Sequence, residues 1–341
     1  MNETVFKEEK MKKTVLILAG AAVAPAFVAA PDVLAAEQTM RCSHQLPPRH
    51  HGAKLITRWA EEVDAQSRGI LKVQVYGANS LRNAKQNIPS VARGNIECAF
   101  SVNFQWGRTI PEMNVTLRPY TFTNKAQLET FHTSKAANIL EAAMLKKGVR
   151  NVAWMFITRM SAFTSKDKPL IKPADFKSVK IRGLNKLVDS GLRALGAAPS
   201  AMSGSKVYQA LSTGVIDAGL TDISAAYSRK YYEVQKYVTV SPLFSVFFHA
   251  YVNPKWYDGL DATQKKALEV AGVNLGKWAI EVSDATAAKA PAQLKAKGMI
   301  VHIHTPAEVA AMKKVMAPAF DKAFNGSTGK TGRMLMEIMS K

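Results

Sequence analysis

Arg182 combines a residue type and a position that suit the binding of an anion. It ends an apolar/basic alternation, Val179 to Arg182, that predicts a short strand, and Gly183 follows at once. A guanidinium presents paired N–H donors in one plane, and these match both oxygens of a carboxylate. In open α/β sheets the carboxyl ends of strands border the ligand crevice. Spacing alone favours a surface arginine beside a turn, and an anion-binding arginine is the alternative.

The segments that position Arg182 alternate between strand and helix patterns. The first part of the chain predicts the order β-α-β-α-β, at residues 39–43, 51–66, 70–76, 87–93 and 96–102. The alternation resumes near Arg159 and continues to Asp222, and residues 227–237 are predicted to be helical. An apolar run at 242–252 predicts a strand that returns to the first lobe, and residues 261–297 form one long helical pattern. Such βαβ units imply mostly parallel sheets with right-handed crossovers.

The fold class predicted from this order is α/β, with two lobes and a long helix that spans them. Lobe I is expected to comprise residues 37–156 plus 243–282, and lobe II residues 157–242 plus 283–341. Several crossing segments between two lobes make a hinged interlobe cleft, which a ligand would close. Two independent domains on a single linker are the alternative, and the returning strand at 242–252 argues against them.

Residues 1–36 have the pattern of a cleaved signal peptide. Lys12 and Lys13 supply a positive region, residues 14–27 are apolar, and small residues around Ala35 suit cleavage. A transmembrane anchor is the alternative, but Pro25 interrupts a stretch that would need about 18 apolar residues to span a bilayer. The sequence therefore predicts export to the periplasm.

The net charge of +20 indicates anionic partners. No helix-turn-helix, zinc-finger or ribonucleoprotein signature is present, and the basic residues are spread along the chain, so nucleic acid is not predicted as a partner. An anionic small molecule fits better. Cys42 and Cys98 lie in two strand-like runs; an oxidising compartment permits a disulfide, but buried thiols are equally compatible with such positions.

Patterns for catalysis and for metal binding are weak. The chain has no G-x-S-x-G elbow, and the segment Gly329 to Thr331 lacks the glycine and the preceding strand of a phosphate loop. The histidine groups at 302–304 and 44–51 have no cysteine or carboxylate at ligand spacing beside them. Neither catalytic residues, nor a metal site, nor a cofactor are predicted.

Several motifs, in order and at their spacing, resemble the solute-binding subunit of tripartite ATP-independent periplasmic (TRAP) transporters, the dicarboxylate-binding-protein family. They cover nearly the whole mature chain and include Lys180-Ile181-Arg182, Gly196-Ala197-x-Pro199, Val207-Tyr208-x-Ala210-Leu211-x-x-Gly214-Val215-Ile216-Asp217, Leu117-Arg118-Pro119-Tyr120 and residues 232–237. The resemblance implies a two-pronged salt bridge from Arg182 to a ligand carboxylate. It implies Arg159 as a second anion-binding arginine, and membrane permease subunits as partners.

Departures from the family pattern bear on the ligand. Thr221 stands where many members have asparagine, and Gly204 stands where an aromatic residue is frequent. Phe247, with its neighbours Phe244 and Phe248, enriches the returning strand in aromatic rings. Further ligand contacts are predicted from lobe I, at Asn103, Trp106 and His44. Together these residues favour an apolar or aromatic organic acid over a sugar acid, with plain core packing as the alternative for the phenylalanines.

The sequence therefore predicts a monomeric two-lobe periplasmic binding protein that captures a small organic acid for a TRAP permease. A secreted enzyme acting on an acidic substrate is one alternative. A sensor or scavenging module without a permease is another.

Overall fold

The computed structural model describes residues 37–340, and the predicted signal peptide at 1–36 lies outside this range. Two mixed sheets form the frame of the molecule. The strands are β1 (Gln38–Ser43), β2 (Leu71–Tyr76), β3 (Cys98–Val102), β4 (Arg150–Thr158), β5 (Ser161–Ser165), β6 (Lys180–Gly183), β7 (Ala198–Ala201), β8 (Ala218–Asp222), β9 (Tyr237–Ser241), β10 (Val246–Val252) and β11 (Ile300–Ile303).

The first sheet has the order β2-β1-β3-β10-β4, and the second has the order β11-β9-β5-β8-β6-β7. In the first sheet β1 pairs with β2 and β3 in parallel, whereas β10 runs antiparallel to both β3 and β4. In the second sheet β6 pairs in parallel with β7 and β8, and β5 runs antiparallel to β8 and β9. The strand predicted at 242–252 is therefore confirmed as a return to the first sheet.

Helices cover the faces and ends of the two sheets. They are α1 (His51–Gln66), α2 (Asn87–Ala92), α3 (Lys125–Thr130), α4 (Lys135–Leu145), α5 (Asp189–Ala194), α6 (Val207–Ser212), α7 (Ile223–Ser228), α8 (Pro254–Asp258), α9 (Ala262–Ala296) and α10 (Pro306–Ser340). The helical stripe predicted at 51–66 coincides with α1, which buries Leu55, Trp59 and Val63. Within residues 37–340, every helix is too short or too polar to cross a bilayer.

The long helix α9 packs against elements of both sheets. Its 35 residues correspond to about 50 Å. Near its start it lies directly on β4, since a Cβ placed on Gly272 would stand 2.2 Å from the carbonyl oxygen of Val152. Leu268 belongs to the core of the first sheet, whereas Leu294 belongs to the smaller cluster beside the second sheet. The predicted helix that spans the two lobes is thus present.

One predicted helix is wrong in type and position. Residues 227–237 were expected to be helical, but α7 ends at Ser228 and β9 begins at Tyr237. Lys230 between them has φ 59, in the left-handed region that an α-helix cannot include. The apolar residues of this segment belong to the end of α7 and the start of β9, which a turn joins.

The two cysteines are joined in a disulfide. Cys42 on β1 and Cys98 on β3 are direct partners in the parallel register, and their sulfur atoms are bonded. The bond closes a segment of 56 residues that contains α1, β2 and α2. Of the two states left open by the sequence, the structure therefore contains the bridged one.

Candidate functional site

A cavity lies between the two sheets. Its first wall includes the ends of β3, β4 and β10, and its second includes β6 and β8. The apolar lining includes Phe104, Phe244 and Phe248. The polar lining consists of Gln45, His50, Ser161, Arg182, Thr221, Asp222 and Arg229. The cavity is therefore neither purely apolar nor purely polar.

Arg182 enters the cavity from the carboxyl-terminal part of β6, as its sequence position predicts. Its side chain is 3% exposed. Nη1 donates to the carbonyl oxygen of Leu220 at 2.7 Å, and Nε and Nη2 both donate to the carbonyl oxygen of Met202 at 3.4 Å. Because a guanidinium has five N–H groups, these bonds leave two of them unused, as many as a two-pronged contact with a carboxylate requires.

The charge of Arg182 has no ion-pair partner among the described residues. Burial, the largest effect, and the nearby guanidinium of Arg229 lower the pKa of Arg182 to about 10, although Tyr231 and Asp189 act in the opposite direction. The side chain still carries its full charge at neutral pH. A buried cation without a counter-ion is costly, since charges in protein interiors are normally paired. An anionic ligand would supply the missing partner.

Arg229 brings a second guanidinium to the same wall. Its Nη1 donates to the hydroxyl of Thr221 at 3.3 Å, and its buried Nε has no hydrogen-bond partner. Gly204 makes room for it, because a Cβ on Gly204 would lie only 2.6 Å from Arg229 Nη1. The wall around Arg182 is therefore rich in N–H donors.

A second group of polar side chains lines the cavity beside the start of α1. Gln45 is 4% exposed, and its Oε1 has no hydrogen-bond partner. His50 caps α1, with Nδ1 accepting the N–H of Gly52 at 3.0 Å, and its Nε2 lies 3.6 Å from Asp222 Oδ2. Burial, followed by His51 and Arg229, lowers the pKa of His50 well below its ordinary value, so the ring is neutral.

Asp222 caps α7 and faces the same histidines. Its Oδ1 accepts the N–H of Ser224 at 3.1 Å and its Oδ2 accepts the hydroxyl of Ser224 at 2.6 Å. His51 Nδ1 lies 3.0 Å from that hydroxyl, and His51 Nε2 lies 3.2 Å from the carbonyl oxygen of Ile157. In a Ser-His-Asp triad the carboxylate binds the imidazole. Here the carboxylate of Asp222 binds the hydroxyl of Ser224 instead. These residues therefore do not have the hydrogen-bond arrangement of a triad.

Within residues 37–340, the side chains of His50, His51 and Asp222 form the group that could together hold a metal ion. Ligand atoms of His50, His51 and Asp222 lie within 4.8 Å of one another. The sequence spacing had shown no carboxylate beside the histidines, and the fold brings Asp222 to them. Because His50 Nδ1 and both nitrogens of His51 already have partners, an ion bound by all three would have to displace Ser224 or the carbonyl of Ile157.

Among the predicted ligand contacts, Arg182, Thr221 and Gly204 meet at the cavity, and five others lie elsewhere. Arg159 does not line it. Its Nε and Nη2 bind the carboxylate of Asp284 on α9 at 3.1 and 3.0 Å, and its Nη1 donates to the carbonyl oxygen of Thr123. In the described structure this arginine joins the β4–β5 connection to the long helix.

Trp106 and Phe247 are packed in the core of the first sheet. Trp106 is fully buried and its Nε1 donates to His249 Nε2 at 2.7 Å. The ring of Phe247 contacts those of Phe131 and Trp154. Successive side chains of a strand point to opposite faces, so Phe248 lines the cavity and Phe247 cannot. This alternation was readable in the sequence.

Asn103 and His44 are buried without reaching the cavity lining. Asn103 Nδ2 donates to the hydroxyl of Thr116 at 2.8 Å. His44 Nδ1 accepts the N–H of Leu46 at 3.1 Å, and burial lowers the pKa of His44 to about 4. His44 thus stabilises the loop that follows β1, and Asn103 stabilises the segment that follows β3.

Sequence reasoning missed five polar residues of the cavity: Gln45, His50, Ser161, Asp222 and Arg229. His50 and Asp222 had one readable signal, since each stands immediately before a helix, at the position of an N-cap. Gln45 and Arg229 offered none. Their place at the cavity follows from contacts between segments far apart in the chain.

Two sheets covered by helices enclose a cavity that is rich in N–H donors. This arrangement defines a binding protein for a small solute. The chain belongs to the bacterial extracellular solute-binding proteins, family 7, whose family model matches residues 42–327. The TRAP-type family predicted from the sequence is thereby confirmed.

Known relatives are similar to this protein over most of its length. The C4-dicarboxylate-binding periplasmic protein DctP of Rhodobacter capsulatus is 28% identical over 292 residues, covering 85% of this chain and 87% of that protein. A TRAP periplasmic solute-binding protein of Desulfovibrio salexigens with bound orotic acid has a TM-score of 0.83 at 23% identity, covering 88% of this chain and 97% of that one. A pyroglutamic-acid-binding solute receptor of Bordetella pertussis has a TM-score of 0.83 at 20% identity, covering 89% and 100%. These two structures share the fold of this chain.

Proposed function

We propose that this protein captures a small organic acid in the cavity between its sheets and holds the ligand carboxylate with Arg182. It would deliver the acid to the membrane permease of a TRAP-type transporter. Three similar proteins are described as binding C4-dicarboxylates, orotic acid or pyroglutamic acid. Each of these ligands is a small carboxylic acid.

The observation that carries the proposal is the state of Arg182. Its guanidinium is 3% exposed, has no ion-pair partner in residues 37–340, and retains two unused N–H groups beside a cavity. A bound carboxylate would satisfy both the charge and these donors. Arg229 and Thr221 lie close enough to add further donors to the same anion.

Two substitutions at one position test this role. Arg182→Ala removes the charge, and Arg182→Lys keeps a point charge but loses the planar pair of donors. Both variants are expected to weaken binding by about 2–5 kcal/mol, the usual effect of truncating one partner of a buried charge pair. Isothermal titration calorimetry measures this, with a panel of aromatic, branched-chain, hydroxylated and dicarboxylic acids as ligands.

The exposed Arg93 provides a matched control. Arg93→Lys and Arg93→Ala should leave every affinity unchanged, because this side chain is remote from the cavity lining. An Arg182→Lys variant that binds within a factor of two of the wild type would rule out a bidentate contact. Native mass spectrometry of gently purified protein would identify an acid that remains bound.

The enzyme alternative makes a different prediction for the same acids. A binding protein returns its ligand unchanged, so prolonged incubation should leave the acid chemically intact by mass spectrometry. Conversion of the acid would refute a purely binding role. The arrangement of Ser224, His51 and Asp222 supports binding over hydrolysis, since the carboxylate binds the serine hydroxyl.

We infer the remaining features from family membership and the two-sheet frame. Lobe I would be built on the first sheet and lobe II on the second, with boundaries near residues 156, 242 and 282. The protein would act as a monomer in the periplasm and would contact the permease through both lobes when they close on the ligand. Cross-linking of the purified protein to permease-containing membranes, with and without ligand, tests the partnership.

A further inference from the structure

Asn185 joins the two sides of the cavity without lining it. It follows β6, three residues after Arg182. Its Nδ2 donates one hydrogen bond to the carbonyl oxygen of Phe104 and another to Asn114 Oδ1, both at 2.8 Å. Phe104 belongs to the turn after β3, and Asn114 to the 3₁₀ helix Pro111–Leu117 that comes next. Because Asn185 lies outside the cavity lining, its role is separate from direct contact with a ligand.

The hydrogen-bonding capacity of this side chain is completely used. A side-chain amide has two N–H donors and one oxygen that can accept two bonds. The two donors of Asn185 reach the opposite side, and its Oδ1 accepts the N–H groups of Leu187 and Val188, both at 3.0 Å. The oxygen therefore stabilises the loop of Asn185 itself, and the nitrogen binds the other side of the cavity.

Gly107 leaves the space that Asn185 occupies. A Cβ at position 107 would lie 2.6 Å from Asn185 Nδ2 and 3.0 Å from Asn114 Nδ2. The backbone of Gly107 has φ −55 and ψ −16, a conformation that residues with side chains adopt readily. The turn itself therefore does not require a glycine, whereas the side chain that arrives from the other side does. We call Phe104, Gly107 and Asn114 the socket of Asn185.

Arg182 and Asn185 stand on one firmly held segment. Asp189 at the start of α5 is 2% exposed, and its Oδ1 accepts the N–H of Leu184 at 2.7 Å. A Cβ at Gly183 would collide with the same carboxylate, which thus packs directly on the chain between Arg182 and Asn185. The N–H of Asp189 also donates to the carbonyl oxygen of Asn185 at 2.9 Å. A segment held in this way couples the position of Arg182 to that of Asn185.

The socket is part of the opposite wall of the cavity. Phe104 lines the cavity, and its carbonyl oxygen accepts the bond from Asn185. The centroid of its ring is 5.9 Å from Arg182 Cζ. Asn114 is fully buried, and its Nδ2 donates to the carbonyl oxygen of Pro111 at 2.8 Å, which turns Oδ1 toward Asn185. The two bonds of Asn185 therefore fix the separation between the arginine and an aromatic residue of the other wall.

We propose that Asn185 is a latch: it holds the arginine segment against the socket and so controls how long a ligand stays bound, without contacting that ligand. It is a positioning residue that acts through Arg182. The proposal rests on the proposed function, because the ligand is the acid whose carboxylate Arg182 holds. The latch bonds form only after the two sides have met. Their loss should therefore raise the dissociation rate and leave the association rate nearly unchanged.

Asn185→Asp and Gly107→Ala break the latch from opposite sides. Aspartate keeps an oxygen for the N–H groups of Leu187 and Val188 but has no donor for the socket. Gly107→Ala adds no charge, suits the backbone of the turn and occupies the place of Asn185 Nδ2. Each variant should bind acids about tenfold more weakly, since two hydrogen bonds of ordinary strength are together worth about that factor.

Two measurements on the mature protein test this expectation. Calorimetry with benzoate, 3-methylbutanoate, 2-hydroxybutanoate and succinate gives the affinities. Stopped-flow tryptophan fluorescence, with whichever of these four acids binds the wild type most tightly, gives the association and dissociation rates. The whole loss of affinity should appear in the dissociation rate.

Asn83→Asp is the matched control for Asn185→Asp. Asn83 Oδ1 also accepts the N–H groups two and three residues ahead, at Lys85 and Gln86, but this side chain is exposed and lies outside the cavity lining. Gly326→Ala controls for the added methyl group, because a Cβ there meets nothing within 4 Å. Both controls should keep the affinity and both rates of the wild type.

The double variant separates a latch from two unrelated structural defects. If Gly107→Ala acts by expelling Asn185, adding Asn185→Asp should weaken binding no further than either change alone. Independent defects would instead multiply, to about a hundredfold loss, because the effects of uncoupled substitutions add in free energy.

The outcomes distinguish the latch from the carboxylate site. A wild-type dissociation rate in either single variant, with binding abolished by Arg182→Ala, would overturn the latch and leave the carboxylate site standing. A hundredfold loss in the double variant, or a loss that appears in the association rate, would also overturn the latch. Acids that bind equally well to the wild type and to Arg182→Ala would overturn the carboxylate site, and no binding by any of the acids would overturn both.

Discussion

At the scale of single residues, Gly204 has a different role from the one its sequence context suggested. The absence of a side chain there was expected to leave space for the ligand. In the structure that space is filled by the guanidinium of Arg229, whose Nη1, Nη2 and Cζ would all lie within 2.8 Å of a Cβ at position 204. Gly204 therefore positions a cation at the cavity wall.

Gly204→Ala is expected to weaken acid binding without a large loss of stability. The added methyl group would displace the far end of a flexible side chain, which is easy to move, but it would shift Arg229 away from Thr221. Calorimetry should show a loss of affinity of about tenfold, with the melting temperature nearly unchanged.

Gly326→Ala on α10 is the comparison variant, because a Cβ there meets nothing within 4 Å. It should leave affinity unchanged and raise stability by up to about 1 kcal/mol, the helical preference of alanine over glycine. A Gly204→Ala protein with full affinity would show that the position of Arg229 does not matter for binding.

At the scale of elements, the disulfide ties β3 to β1, the strand that leads into the segment carrying Gln45 and His50. Cys42 lies three residues before Gln45, and Cys98 is its register partner on β3. Burial of both cysteines keeps the bond away from solvent. The segments that carry Gln45 and His50 therefore start from a fixed point in the first sheet.

Removing the bond is expected to lower stability while leaving the affinity largely intact. A disulfide that closes 56 residues restricts the unfolded chain and typically contributes about 2–4 kcal/mol. Urea denaturation of oxidised and fully reduced protein measures the difference without substituting any residue. The Cys42→Ala/Cys98→Ala double variant should agree with the reduced protein, and equal midpoints for oxidised and reduced samples would contradict the expectation.

At the scale of the whole molecule, contacts cross the cavity between the two sheets. His51 at the start of α1 meets Ser224 in the first turn of α7, and Asn185 Nδ2 after β6 donates to the carbonyl oxygen of Phe104 at 2.8 Å. These bonds join side chains and loops of the two predicted lobes. An acid bound in the cavity would add contacts to both sides.

Ligand binding is therefore expected to compact the protein. Contacts to both lobes favour a closed state over an open one, in proportion to the difference in affinity. Small-angle scattering should show a smaller radius of gyration with a saturating acid than without it. The Arg182→Ala variant should show no change with the same acid, and an unchanged radius in the wild type would argue against a hinged cleft.

Local sequence patterns determined the elements and pointed to the proposed anchor. The apolar stripe of α1, the length of α9 and the strand β10 were all readable because each depends on spacing within one segment. Arg182 was noticed as a donor pair at the end of a short strand, and the resemblance to the family favoured it as an anion-binding residue. Motif order was sufficient to indicate the family.

Only the tertiary structure decided which other side chains share a cavity with Arg182. Gln45 and His50 meet Asp222 and Arg229 across more than 170 residues of chain, and no local spacing encodes such a contact. Arg159 was expected at the ligand, yet Asp284 lies beside it and forms the ion pair. Local patterns fix elements because neighbours in sequence share one helix or strand, whereas a binding site depends on how distant elements pack together.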